Sequence, residues 1–471
     1  MRQSTPPRSP WLAAKTAALL SIAALLFACA PADREGDDLD GSGLQDEGLH
    51  GHARGKHKEA CNDGTCAVSA IEHLVVVIQE NHSFDAYFGR YCQAPTGSSP
   101  SCTEGPDCCE AGPAHDPSGA APVALDDARN LAYDPRHNRA CETAEIHGGA
   151  MDRFVTGAPD VDGAACGDPR NFAYATDAIM KPYHDLAAEY ALADRYFQPI
   201  IGASSANDMY LAGATYAFDD NSYAPLAIGT SCSEEGEPLL AVGRASIGNV
   251  LASAGVDWRF YAEGYAEMAA AERQGTCPDI PSDCPLQTAA YPCLYDPEDD
   301  PFAFYPSLHD DPRYMADLDD LERDLSSGAL PAVSFVKPIG YRTEHPGTTI
   351  SAGTEIVTDI VSRVNASSSA ASTLVLVMWD EAGGYFDHVA PPPASEQDGQ
   401  PYGPRIPLLA IGPFARKGTI SHVTMEHSSI VRFIEWNWLG EDTGQLAARD
   451  AVVNNIGSLL DPEKTLVSVP E

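Results

Sequence analysis

The chain has 471 residues, with 29 Lys and Arg against 68 Asp and Glu, a formal net charge of −39. Apolar residues make up 44 %, enough for a sizeable core, which excludes a disordered chain. The acidic balance argues against a nucleic-acid backbone as partner and against purely electrostatic docking on anionic membranes, since both need basic side chains. An anionic substrate would have to be held by a local cation, either a metal ion or a small basic cluster.

Arg2, Arg8 and Lys15 flank the start of an apolar run from Ala17 to Ala28 that is too short to span a bilayer comfortably. Residues 1–28 therefore read as an export signal. The run closes on Leu26-Phe27-Ala28-Cys29, which resembles a bacterial lipobox. Cys29 would then be the lipidated first residue of the mature protein, tethering it to an outer membrane or cell surface. An ordinary signal peptide, releasing a secreted protein, is the other reading. Setting Cys29 aside leaves an even number of the 13 cysteines, none beyond Cys293, which fits an oxidising compartment and up to six disulfides of open connectivity. Residues 29–60 carry almost no large apolar side chains and read as a tether. Residues 61–471 form the expected catalytic domain.

From Ile71 the pattern becomes α/β. Leu74 to Ile78 is a continuous apolar, largely β-branched run, the mark of a strand buried on both faces. It leads into Glu80-Asn81-His82-Ser83-Phe84-Asp85. Residues 92–170, rich in Cys, Pro, Gly and Asp, read as a disulfide-stapled excursion. Tyr183 to Ala193 is expected to be helical. Gly202-Ala203-Ser204-Ser205-Ala206-Asn207 reads as a turn opening a helix, where Ser204 would meet the positive end of the dipole. A plain helix-capping serine fits the same place. A weaker strand, Ala332 to Val336, precedes Glu344-His345-Pro346, and a helix is expected over Glu355 to Val364. A second strong strand, Thr373 to Trp379, runs into Asp380-Glu381-Ala382-Gly383-Gly384, and Pro407 to Ile411 is a further strand. Alternation of this kind predicts a mostly parallel sheet covered by helices on both faces. In such sheets ligands bind beyond the carboxyl ends of the strands. Glu80, Asp380 and Glu381 would thus meet at one edge, where clustered carboxylates call for a cation. All-oxygen ligation suits Mg²⁺, Ca²⁺ or Mn²⁺, and Zn²⁺ also accepts carboxylates. His137, His345, His388 and His427 could each touch phosphate oxygens or protonate a leaving group, or be structural.

Five ordered motifs resemble the bacterial phospholipase C and acid phosphatase family: Glu80 to Asp85 with Tyr87-Phe88-Gly89; Gly148 to Phe154; Glu344-His345-Pro346; Asp380 to Val389; and Gly403 to Pro407 with the later His427-Ser428-Ser429-Ile430. The resemblance covers roughly residues 71 to 461. It implies an alkaline-phosphatase-like α/β/α sandwich and a phosphoserine mechanism. Carried over position by position, Glu80, Asp380, Glu381 and Ser204 would ligate one divalent metal ion. Ser204 would be the nucleophile, and Asn81, His137, His345 and Asn207 would hold phosphate oxygens, one histidine serving the leaving group. The substrate implied is a small phosphoester or a phospholipid head group. Three acidic residues depart from the family pattern: Asp208 stands where relatives carry a basic residue, and Asp299 and Asp300 stand where they often carry His and then Asn, which suggests a cationic head group. A metal-free serine carboxylesterase and a catalytically silent binding lipoprotein are the competing readings.

Overall fold

The computed structural model describes residues 67–158, 166–218, 226–230, 239–282, 284 and 291–471. The export signal, Cys29 and the tether lie outside the described residues. Among the described residues, no helix is long and apolar enough to cross a membrane.

Eight strands form the central sheet: β1 His73–Gln79, β2 Ala191–Ala193, β3 Trp258–Ala262, β4 Met315–Ala316, β5 Val333–Lys337, β6 Thr373–Trp379, β7 Leu408–Ile411 and β8 Thr419–Ser421. Their spatial order is β8-β2-β7-β6-β1-β5-β3-β4. β1 lies between β6 and β5 and is parallel to both. Only β7 runs against its neighbours. Leu74 to Ile78 and Leu374 to Trp379 are almost wholly excluded from solvent. Burying each large aliphatic side chain of this kind stabilises by about 1.5–3 kcal/mol, which is why the two longest apolar runs become the centre of the sheet.

The helices fall into two sets that pack among themselves. Asp177–Glu189, Leu318–Ser327 and Ile350–Ala366 form one; Ser204–Gly213, Ile247–Ala254 and His427–Trp438 form the other. With the central strands buried on both sides, this is the expected α/β/α sandwich with a mostly parallel sheet. Among the described residues, disulfides join Cys92 to Cys109, Cys102 to Cys108, Cys141 to Cys166 and Cys284 to Cys293, and Cys277 is also disulfide-bonded. Bonds of this kind persist in oxidising compartments.

Two expectations need correction. The helix anticipated over 183–193 ends at Glu189, and Ala191–Ala193 is strand β2, wedged between β7 and β8. Ala-Leu-Ala has helical propensity, but complete burial between two strands overrides a preference worth tenths of a kcal/mol per residue. Strand β3, with its Trp-Arg-Phe-Tyr run, was not anticipated; its aromatic content was the available signal.

Candidate active site

The parallel register of β1 and β6 pairs Gln79 with Trp379, so the segments that follow them leave the sheet side by side. The Asp380 N–H donates to Gln79 O at 3.0 Å. Asp380 Oδ1 then accepts from the backbone N–H groups of Asn81 (2.9 Å) and Glu381 (2.6 Å), which locks the two turns together. Asn81 holds a left-handed φ of 61°, a conformation that Asn tolerates better than most residues. Gly383 is obligatory, because a Cβ there would overlap the Asn81 backbone. From below, His427 steadies the turn. Its Nε2–H donates to Asp380 O at 2.9 Å, and its Nδ1 accepts from the Tyr196 hydroxyl at 2.8 Å. Burial pushes the His427 pKa down to about 3, so the ring stays neutral. His427, considered above for phosphate contact, is instead a wholly buried support.

Ser204 is the first residue of the helix Ser204–Gly213, and no side chain caps that N-terminus. The Ser204 hydroxyl donates to Asn81 Oδ1 at 3.4 Å. The Asn81 amide in turn lies 3.3 Å from His137 Nε2. His137 Nδ1–H donates to Pro135 O at 2.8 Å, and His345 Nδ1–H donates to Pro346 O at 2.6 Å. Both rings therefore keep Nε2 as the nitrogen available for chemistry. They meet edge-on with centroids 5.8 Å apart. Glu344 holds His345 from beneath with a φ of 73°, while its carboxyl group accepts from the Tyr183 hydroxyl and, at 3.0 Å, from the Trp379 indole N–H. Burial raises the Glu344 pKa to about 8 against these stabilising bonds.

The carboxylates differ in how well they are satisfied. Glu80 is 1 % exposed, with Oε1 2.6 Å from Lys337 Nζ and Oε2 accepting from the Tyr291 hydroxyl at 2.9 Å. Burial opposes its ionisation, yet Lys337 and His345 bring its pKa below the ordinary value. Asp380 Oδ2, Glu381 Oε1 and both carboxylate oxygens of Asp208 are buried without a hydrogen-bond partner. Burial and neighbouring carboxylates push the pKa of Glu381 and Asp208 well up, and that of Asp380 up. Unpartnered buried oxygens of this kind are costly unless a proton or a cation satisfies them. A proton or a hard divalent ion would satisfy these oxygens. Among the described residues, the side-chain groups whose ligand atoms lie close enough together to hold a metal ion are Asp134/His137/His345 and Asp85/Asp387/His388; Glu80, Asp380 and Glu381 do not form such a group. The second is already filled by Arg405, which bonds Asp387 at 2.9 Å and Asp85 at 3.1 Å.

Of the sequence-derived residues, Asn81, His137, Ser204, Asp380 and Glu381 are linked through these bonds, with His345 beside His137, while Glu80 precedes Asn81 and is bonded to Lys337 and Tyr291. Asn207 is not directed at the site. Its amide donates to Gly202 O (2.8 Å) and Ala203 O (3.1 Å), and its oxygen accepts from Ile200 N–H (3.1 Å), so it shapes the turn. His388 pairs with Asp85 and Glu110 instead. Asp300 caps Phe302 N–H and receives the Tyr295 hydroxyl, so its carboxylate is not open to a head group. Sequence reasoning missed Lys337, Tyr291, Glu142 and Gln198. Lys337 ends strand β5, next to β1, and that position was its only signal.

The chain belongs to the Phosphoesterase family, whose model matches residues 71–439. It is a hydrolase of phosphoester bonds. Phospholipase C B of Mycobacterium tuberculosis is 26 % identical over 441 residues, covering 85 % of this chain and 80 % of that one. The non-hemolytic phospholipase C of Burkholderia pseudomallei is 25 % identical over 424 residues, covering 79 % of this chain and 56 % of that longer protein. A Vibrio parahaemolyticus protein of the alkaline phosphatase superfamily superposes with a TM-score of 0.36 at 11 % identity, over 60 % of this chain and 65 % of that one. The sheet order and register, not this last similarity, carry the fold assignment.

Proposed function

We propose that the protein is a phospholipase C-type hydrolase that cleaves a phosphodiester or phosphomonoester through a phosphoserine on Ser204. The observation that supports this most is the Ser204 hydroxyl against Asn81, beside carboxylate oxygens of Asp380 and Glu381 that lack hydrogen-bond partners. One divalent ion held by Asp380, Glu381, Ser204 and a shared Glu80 would supply the positive charge that lowers the serine pKa and balances the phosphoryl oxygens. Asn81 Nδ2 and the Nε2 nitrogens of His137 and His345 orient the phosphoryl group. Ser204 Oγ attacks phosphorus as its proton passes to Nε2 of one of the two histidines, the ester P–O bond breaks, and that histidine gives the proton to the departing alcohol. Water then attacks the phosphoserine, losing a proton to the same histidine, and the P–O bond to Ser204 breaks as that proton is returned to Ser204 Oγ. The helix N-terminus and the fixed amide stabilise the transferring group without reorganisation.

The substrate reading, a phosphoester with a small or phospholipid head group, rests on the phospholipase C relatives. Residues 1–28 as an export signal and lipidation at Cys29 belong to the same proposal, with residues 61–471 as the catalytic domain. Assaying p-nitrophenyl phosphate and p-nitrophenyl phosphorylcholine side by side separates monoester from diester preference; inactivity on both removes the proposal. EDTA should abolish activity, and re-added Ca²⁺, Mg²⁺, Mn²⁺ or Zn²⁺ should restore it selectively. Full carboxylester hydrolysis that survives EDTA would favour the metal-free esterase. A ³²P label trapped on Ser204 fixes the intermediate.

A further inference from the structure

A carboxylate outside the described chemistry joins the two halves of the site. Glu142 lies on the helix Arg139–Ile146, within the cysteine-rich insertion, and is wholly buried. Its Oε2 accepts from Gly202 N–H at 2.8 Å and from the Gln198 amide at 3.0 Å. Gly202 lies two residues before Ser204. Gln198 Oε1 accepts from Ala382 N–H at 2.8 Å, and Ala382 directly follows Glu381. One acidic side chain thus grips the nucleophile turn directly, and reaches the Asp380–Glu381 turn both through a single glutamine and through its own contact with the Glu381 carboxyl group. The contact is built for: Gly403 has no side chain where a Cβ would overlap the Gln198 side chain. Other ties of this helix include the Asn138 cap on Cys141 N–H, an Arg139–Gln400 bond of 3.1 Å, a Glu145–Asn171 bond of 3.0 Å, and the disulfide Cys141–Cys166, whose first cysteine is the residue before Glu142.

We propose that Glu142 is a positioning residue that fixes the Ser204 turn against the Asp380–Glu381 turn, and that the Cys141–Cys166 disulfide holds Glu142 in register for that task. The inference rests on Ser204 chemistry as proposed above. Alignment of a nucleophile is lost steeply with distance, about 100-fold in rate for a displacement of 1 Å. Formation of the disulfide would then tie full activity to the oxidising compartment that the cysteine content indicates.

The test uses the full chain with p-nitrophenyl phosphate and p-nitrophenyl phosphorylcholine. Glu142→Ala should lower kcat about 100-fold while KM changes less than about threefold. Glu142→Gln keeps an oxygen acceptor for Gly202 and should stay within about fivefold of the wild type. Joint Cys141→Ser and Cys166→Ser replacement should lower kcat in the wild type, and add little to Glu142→Ala, as coupled residues do. Replacing Cys102 and Cys108 should leave kcat unchanged. Hydrogen exchange of the segment 199–207 gives a readout without activity, and should quicken in Glu142→Ala while strand β7 stays protected. An unchanged kcat in Glu142→Ala, or a glutamine variant as poor as the alanine, overturns the positioning role. Losses that simply multiply overturn the disulfide's part in it. Should Glu142→Ala not fold, the cysteine pair decides: lower kcat with an unaltered circular dichroism spectrum supports the proposal, and unchanged kcat overturns it. An inert wild type would instead remove the phosphoesterase reading, leaving exchange at 199–207 to decide the structural link.

Discussion

Two buried acidic clusters stand a few residues apart in the chain and behave in opposite ways. In the first, Asp85, Asp387 and His388 surround Arg405, whose guanidinium bonds both aspartates and lies 4.5 Å from the centre of the Phe84 ring. The backbone N–H groups of Asp85, His388 and Val389 complete the coordination of the carboxylates. In the second, Asp380, Glu381 and Asp208 keep oxygens without a hydrogen-bond partner, with His137 Nε2 3.7 Å from Glu381 Oε1 and Lys337 engaged mainly by Glu80. The first cluster is closed and serves as scaffold. The second is open, and an open buried carboxylate is stable only with a proton or a cation. Acid content and burial do not separate the two; the completeness of the hydrogen bonding does.

That contrast can be broken or sharpened by substitution. The largest effect is expected at Ser204. Ser204→Ala should lower turnover by about 10³-fold or more while the melting temperature hardly moves, because the hydroxyl makes one long bond in the fold. Asp380→Asn comes next. Its retained oxygen can still accept from Asn81 and Glu381, so kcat should fall about 10²- to 10³-fold. Its melting temperature should equal or exceed the wild type's, since a repelling charge is removed; a marked drop would show the open cluster to be scaffold after all. Arg405→Met reverses the pattern. It strands two buried carboxylates and should cost about 3–5 kcal/mol of stability in denaturant unfolding. The molecules that remain folded should keep a specific activity within about threefold, and a selective loss of kcat would erase the distinction between the clusters.

The smallest effect concerns pH. Burial raises the Glu344 pKa to about 8, so the folded state keeps a proton that the unfolded state releases near the ordinary value of 4.5. Folded protein binds more protons, and stability must fall as pH rises between those values. The buried neutral His82 and His427, both pushed down to about 3, act oppositely but only below the ordinary histidine value of 6.5. Between pH 6.5 and 8 the Glu344 contribution therefore runs unopposed by these histidines. Melting temperatures should decline across that window, and Glu344→Gln should flatten the slope whatever its absolute stability.

The sequence by itself determined the sheet's centre and both acidic strand ends. Leu74 to Ile78 and Thr373 to Trp379 are apolar on both faces, and such runs have no stable place except between two helical layers. The glycines after Glu381 and the serine at a helix start marked the turns for the same local reason. Tertiary structure decided the rest. Ala191–Ala193 became a strand because burial between β7 and β8 outweighs alanine's preference. Asn207 turned inward to bind its own loop, and Lys337 reached Glu80 because β5 and β1 are neighbours in the sheet, although more than 250 positions separate the two residues. Spacing along the chain shows which residues could carry charge. Which charges are paired, and which are left open for a substrate or an ion, is settled only when distant strands bring their ends together.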